Sequence, residues 1–493
     1  MSKKNGKRTP LRGVSDIRRF FYKNETPIYF ISATNFNLLG ADEWVKGFRY
    51  ICYIDCFDGQ HPNVFVPKEE MPHEEFQSIE DINNYLLEHK EVVDIIKKRN
   101  AGKKGKALFL MFDEKTEELA KLNNLEVSFP SAKMRQFMDN KVNTNRIAEK
   151  AGVPCVPYIL DKVKSYKELS EKSAHLGTDL VIQLPFGDSG HTTFFVSNEE
   201  EWNKHADEIT AEKEVKIMKR INCRGAAIEA CVTRHGTIVA PLMTELVGFK
   251  ELTPYKGGWC GNEIFADAFT PIIRQKARKY TQLFGDQLRK EGYKGYFELD
   301  FLIDVDTNDI YLGELNPRIT GASSITNHAV FALSDAPLFL FHLLEWMNYP
   351  YELSVLGLNR RWSRKENIDS WSQLVIKHTE ESVEIVTEAP RSGIYRIQED
   401  GTLHFDRMDT HRRAVESDNE AFYLRIIRKG DYLYEGADMG ILVMRNRLMT
   451  NDFKLTPRAK SWINGLRSLY KSEVPTNQNM VMELQEIGGF KMM

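Results

Sequence analysis

Residues 296–324, YFELDFLIDVDTNDIYLGELNPRITGASS, constrain the fold more than any other stretch of the chain. Glu298, Asp300 and Leu302 alternate with Leu299, Phe301 and Ile303, which is the two-residue period of a strand. Asp304, Asp306, Thr307, Asn308 and Asp309 form a turn cluster. In the run that follows, Leu312, Glu314 and Asn316 fall on one face, with Tyr311, Gly313 and Leu315 on the other. Pairing the two runs as an antiparallel hairpin with Asp304 near Ile310 sets Asp300 opposite Glu314. Cross-strand neighbours lie roughly 5 Å apart, and like charges at that spacing are destabilising. A solvated hairpin would tolerate them. Here Phe297, Leu299, Phe301, Leu302, Ile303, Ile310, Tyr311, Leu312 and Leu315 mark a buried pair, where charged groups rarely stand without a partner. A divalent cation reverses the sign. Asp300, Glu314 and the amide of Asn316 are the hard oxygen donors that Mg²⁺ takes, and Mg²⁺ usually completes its shell with waters and nucleotide phosphates. Arg318, two residues on, offers a planar fork to a phosphate or carboxylate.

GYFELDFLID followed by YLGELNPR is similar to the magnesium-binding end of the ATP-grasp superfamily, whose ligases carry an acidic residue on one strand and Glu-x-Asn-x-Arg on the next. The resemblance implies that Asp300, Glu314 and Asn316 bind Mg²⁺, as two ions or with Mn²⁺ in its place. It makes Arg318 the catalytic arginine, acting on transition state or substrate. Other segments resemble the superfamily in the same order. Residues 131–157 begin with Ser131, a helix-capping residue, and hold a helical run over 139–151 that Gly152 and Pro154 stop. By itself Lys141 is a surface lysine. Placed between Asp139 and the Ala-Gly-Val-Pro segment, it resembles the lysine that contacts nucleotide phosphates. Residues 180–184 and 192–196 are strand-like, and the turn between them holds Gly187, Asp188, Ser189 and Gly190. A glycine-rich tip can close its N–H groups over phosphates, and this one resembles the superfamily's mobile glycine loop. Gln183 stands where those ligases usually carry a lysine; an amide can hydrogen-bond a base but brings no charge to a phosphate. Residues 214–231 match the hinge strand. Lys219 and Ile221 are then expected along the adenine edge, and Glu229 near the ribose or the metal cluster.

The remaining segments supply a frame. Strands at 27–32, 50–55 and 107–112 alternate with helices such as 79–98, the pattern of a mostly parallel sheet. The basic loop at 100–106, NAGKKGK, lacks the spacing of a phosphate-binding P-loop. Residues 253–263, TPYKGGWCGNE, read as a lid or wall on the substrate side. A helix over 271–291 has Pro271 in its first turn and Gly292 just past its end. Gly321, Ser323 and Ser324 open a helix predicted to reach about Met347, and His328 reads as a packed histidine. Beyond 351, short strands between turn clusters indicate a mostly antiparallel region, closed by a helix at 462–470. The expected fold class is α/β and α+β: an ATP-grasp fold between an N-terminal parallel α/β domain and a C-terminal antiparallel β domain. The expected boundaries are 1–26 for a tail and short helix, 27–130, 131–350, 351–475, and 476–493 for a second tail.

With 67 Lys and Arg against 70 Asp and Glu, a net charge of −3 points to neither a nucleic-acid nor a membrane partner. No run approaches the roughly 20 apolar residues of a membrane span, and the basic first twelve residues lack the apolar core of a signal peptide. Six scattered cysteines read as reduced thiols of a cytoplasmic protein. The resemblance implies an ATP-dependent ligase that joins a small carboxylate to an amine (an amino acid or peptide) through an acyl phosphate, releasing ADP and phosphate. A homodimer fits it, since many relatives are dimers. Three alternatives stand beside it: a biotin-carboxylase-like enzyme, a small-molecule kinase, and a non-catalytic nucleotide-binding regulator. The first ranks lower because Ile319-Thr320-Gly321-Ala322 follows Arg318, where biotin carboxylases have Gln-Val-Glu-His; Gln183 alone favours the last.

Overall fold

The computed structural model describes residues 8–68, 76–187, 192–326 and 335–475. Near its N-terminus, Ile28–Ser32 is buried at every position, as a strand covered on both faces must be. It lies at the centre of a parallel sheet in the order Val64–Phe65, Phe48–Cys52, Ile28–Ser32, Gly105–Phe109, Leu125–Val127. The second and third strands start two residues earlier than the apolar runs at 50 and 107 suggest. The helix expected over 79–98 is two, Ile79–Glu88 and Lys90–Asn100. His89 between them is extended, and its Nδ1 caps the second helix by accepting from the Glu91 N–H.

Two capped helices follow, α1 (Ala132–Asp139) and α2 (Lys141–Ala151), begun by Ser131 and Asn140 side chains. Gly152 ends α2 in the left-handed region, at φ 68°. Next come β1 (Tyr158–Asp161), β2 (Leu180–Gln183), β3 (Thr193–Val196) and β4 (Val215–Lys219), which pair antiparallel in the order β1-β4-β2-β3. One face of this small lobe packs Ile182, Phe194, Val215 and Ile217 against Leu169, Trp202 and Ile209. The other face presents Val181 and Met218 to Leu302 and Tyr311.

The largest sheet holds β5 (Cys223–Thr233), β6 (Met243–Val247), β7 (Trp259–Ile264), β8 (Gly295–Asp304), β9 (Ile310–Asn316), β10 (Trp371–Lys377), β11 (Glu420–Arg425) and β12 (Asp438–Arg445). Its order runs β9-β8-β5-β6-β7-β10-β12-β11 and ends on Gly393–Ile397 and Leu403–Arg407. The C-terminal strands therefore extend the sheet that carries the acidic hairpin, joined through β7 and β10. Helix α3 (Pro271–Lys290) covers the hairpin side with Ile273, Ala277, Phe284 and Leu288.

Three expectations change here. Residues 259–263, read as a loop, belong to the central strand β7. Gly261 has φ 141°, and a Cβ there would sit 2.0 Å from the Gln373 carbonyl oxygen. Its glycine marks close approach of β10 rather than a loop. The long helix from 321 toward 347 is broken among the described residues: Ser323–Thr326 is helical, and α4 (Leu338–Trp346) starts anew after Pro337. Proline has no N–H to continue an earlier helix. His328 lies outside the described residues. The last helix is Pro457–Arg467, earlier than 462–470, because Thr456 caps it and Pro457 fits its first turn.

Candidate active site

Local sequence places the hairpin residues. β8 and β9 pair with Asp300 opposite Glu314 and Glu298 opposite Asn316. The register slips between Asp300 and Phe301, so that Phe301 faces Leu312 and Gly313 is the extra residue of a bulge. Strict alternation had put Leu312 on the face of Glu314. The bulge sends Ile310, Leu312 and Leu315 into the core with Phe297, Leu299 and Phe301, and Tyr311 takes the place beside Leu302.

The electrostatics are strained. Burial, then the charge of Glu314, raises the Asp300 carboxyl from 3.8 to about 7. Burial also raises Glu314, against the lowering effect of Lys141. Asp300 Oδ2 accepts from Asn316 Nδ2 at 3.0 Å, while its Oδ1 is shielded and has no hydrogen-bond partner. Arg318 donates to Asn316 Oδ1 at 2.9 Å, and its Nε is left without a partner.

Lys141, the first residue of α2, is 4% exposed. Its backbone N–H donates to Pro185 O, its Nζ donates to Gly187 O at 3.1 Å, and Nζ lies 3.6 Å from Glu314. It thus ties the glycine turn to the acidic strand. Gly187 has φ 140°, and a Cβ there would meet Thr192 Oγ1 at 2.1 Å, so the turn needs glycine at that point. Asp188, Ser189 and Gly190 lie outside the described residues. Gln183 donates to Thr193 Oγ1 at 3.3 Å, and its Oε1 is shielded with no partner. Ile221 packs with Val156, Val181 and Met218, an apolar slot between the lobe and the hairpin.

Two further expected members are Lys219 and Glu229. Lys219 is exposed and alternates to the face of β4 opposite Met218. Glu229 is fully buried, and its oxygens accept from the hydroxyls of Tyr296, Thr320 and Ser323. Burial raises its pKa, and those donors oppose the rise. It braces the turn at 320–323 and lies opposite Glu298 in the β5–β8 register, sharing the Thr320 hydroxyl with it.

Three residues join the site without having been singled out. Glu298 shares the face of Asp300 by simple alternation, and its pKa is driven up by burial and then by Asp300. Glu245 enters from β6, where a Cβ at Gly225 would stand 2.5 Å from its Oε2; burial, Asp300 and Glu314 all raise it. Lys216 lies across β4 from Gln183. Only strand pairing reveals the last two. Among the described residues no three His, Cys, Asp or Glu side chains form a metal-ligand group. The oxygens the hairpin offers a cation are those of Asp300, whose Oδ1 is unpartnered, Glu314 opposite it, and the Asn316 amide beside them.

Comparison with known proteins gives the fold. No family model matches the chain. A D-alanine–D-alanine ligase of Carboxydothermus hydrogenoformans is 24% identical over 193 residues, covering 37% of this chain and 61% of that relative's length. The biotin carboxylase domain dimer of Hydrogenobacter thermophilus 2-oxoglutarate carboxylase, in complex with MgADP, ADP and bicarbonate, superposes with a TM-score of 0.56 at 12% identity, over 90% of each chain. N5-carboxyaminoimidazole synthase from Aspergillus clavatus, in complex with ADP and its aminoimidazole ribonucleotide, gives a TM-score of 0.53 at 13% identity, over 90% of this chain and 98% of that one.

Proposed function

We propose that this chain, which has the ATP-grasp fold of those structures, is an ATP- and Mg²⁺-dependent ligase joining a small carboxylate to an amine. The observation that carries the reading is the facing pair Asp300 and Glu314, pushed toward protonation and leaving Asp300 Oδ1 without a partner. Asp300, Glu314 and Asn316 would hold the cation, the amide turning its oxygen from Arg318 to do so. A bound Mg²⁺ would offset negative charge on the β- and γ-phosphates.

The chain's own residues do the rest. The slot of Val156, Val181, Met218 and Ile221 has the apolar character a purine ring needs. Lys141 exchanges its bond to Gly187 for a phosphate, which frees the glycine turn to close over the site and keep water out. The substrate carboxylate attacks the γ-phosphorus and becomes an acyl phosphate, with ADP leaving. The amine then displaces phosphate, while the Arg318 fork steadies the oxyanion.

The test is incubation of the full chain with ATP, Mg²⁺ and pools of amino acids, following ADP and product mass. A condensed product supports the ligase. A phosphorylated single substrate would make the chain a kinase, and no ADP in any pool would defeat the reading. A second reading draws on the fold shared with biotin carboxylase: bicarbonate serving as the carboxylate. Labelled bicarbonate in the same assay, retained in product, would select it.

A further inference from the structure

Lys216 lies mid-strand in β4 with 1% of its surface exposed. The register sets it directly opposite Gln183, on the same face of the lobe. Val215 and Ile217 on either side turn into the lobe's own core, while Val181 and Met218 share the slot that meets Leu302 and Tyr311. Burial lowers the Lys216 pKa, and the charged groups acting on it are the Cys155 thiol, Glu314 and Lys141. Lys141 has Glu314 at 3.6 Å; among the described residues Lys216 has no ion pair. An ammonium buried without a partner is costly, and a strand shaped for stability alone would carry methionine or leucine there. Gln183 Oε1, across the strand pair, is a shielded acceptor without a hydrogen-bond partner.

We propose that Lys216 binds the phosphate chain of the nucleotide, a task for which Gln183 opposite it has no charge. This presupposes that the cleft takes a nucleoside triphosphate. Two ammonium groups, one from the start of α2 and one from β4, then face the carboxylates of β8 and β9. A magnesium–triphosphate complex carries the complementary charges.

Calorimetric titration of the full chain with ATP, ADP and adenosine, in the presence of Mg²⁺, tests the assignment. Lys216→Met is expected to weaken ATP roughly 10- to 100-fold, as loss of a hydrogen bond to a charged group implies. Adenosine affinity stays unchanged. The nucleotide-free variant melts at or above the wild-type temperature, because a desolvated charge has been removed. Gln183→Lys added to Lys216→Met restores ATP affinity, since cross-strand positions are roughly 5 Å apart. Equal ATP affinity in wild type and Lys216→Met overturns the proposal. So does a parallel loss for adenosine, or a variant that melts lower or fails to fold, since each marks a packing role. Wild-type protein that binds none of the three nucleotides overturns the ligase reading as well, which separates the two failures.

Discussion

Asp300 keeps its proton up to about pH 7 in the folded chain, against 3.8 for an ordinary aspartate. The unfolded chain releases that proton first, so the stability contributed by the protonated form falls as pH rises from about 4 to 7 and is gone above 7. Asp300→Asn is therefore expected to leave the metal-free protein more stable than wild type at pH 8, by on the order of 2 kcal/mol. The two should be about equal at pH 4. Urea denaturation at the two pH values reads this directly, and a variant less stable at both would mean that Asp300 is not repelled. The same substitution should cut ATP turnover at least about 100-fold. These two carboxylates were legible in the sequence because both lie in one hairpin whose period and turn are local. Lys216 and Glu245 were not, since their neighbours are set by registers between strands tens of residues apart.

At the level of elements, the start of β8 is fixed by a single histidine on α4. His342 Nδ1 accepts from the Tyr296 N–H at 2.9 Å, and Nε2 lies 2.7 Å from Ser128 O, which requires the neutral ring with its proton on Nε2. Burial pulls its pKa from 6.5 to about 3. The stability it contributes is present above pH 6.5 and is lost as pH falls from 6.5 toward 3. His342→Asn keeps the acceptor toward Tyr296 and drops the bond to Ser128. It should cost about 1–2 kcal/mol at pH 7.5 yet flatten the decline below pH 6.5, as followed by denaturant midpoints. An unchanged acid slope would show that another group governs it. Gly295 belongs to the same joint: it has φ 102°, and a Cβ there would sit 2.5 Å from His342 Nδ1. Gly295→Ala should lose about 1–3 kcal/mol by overpacking. Most elements could be read from apolar period and caps. Two of the exceptions, the Gly313 bulge and β7 read as a loop, arise where glycine serves packing rather than a turn.

Across the whole molecule, long-range contacts divide the chain unevenly. The N- and C-terminal parts interlock: Arg425 forks onto Asp58 at 2.8 and 3.1 Å, and Arg413 pairs with Glu43 at 2.7 Å. Glu263 of β7, fully buried, accepts from Arg447 and from the backbone N–H groups of Leu448 and Met449. The lobe of β1–β4 instead has a core of its own. It meets the rest of the chain through the slot around Val181 and Met218, the bonds from Lys141 of α2 to Pro185 and Gly187, and the pairs of Arg146 with Glu214 and Glu149 with Tyr158. A small unit with a core of its own can open at lower free energy than the larger body it rests on. Backbone amides of β1–β4 should then exchange with deuterium faster than those of β8 and β5, which pair along ten residues. Mg²⁺ and ATP together should slow the lobe selectively, because a nucleotide bound as proposed would join Lys141 and the slot to Asp300 and Glu314. The slowing should vanish in Asp300→Asn, where the join is broken at the carboxylate end. Equal exchange rates across lobe and sheet in the free protein would mean that the lobe is locked in place, and closure over the nucleotide would then need another moving part.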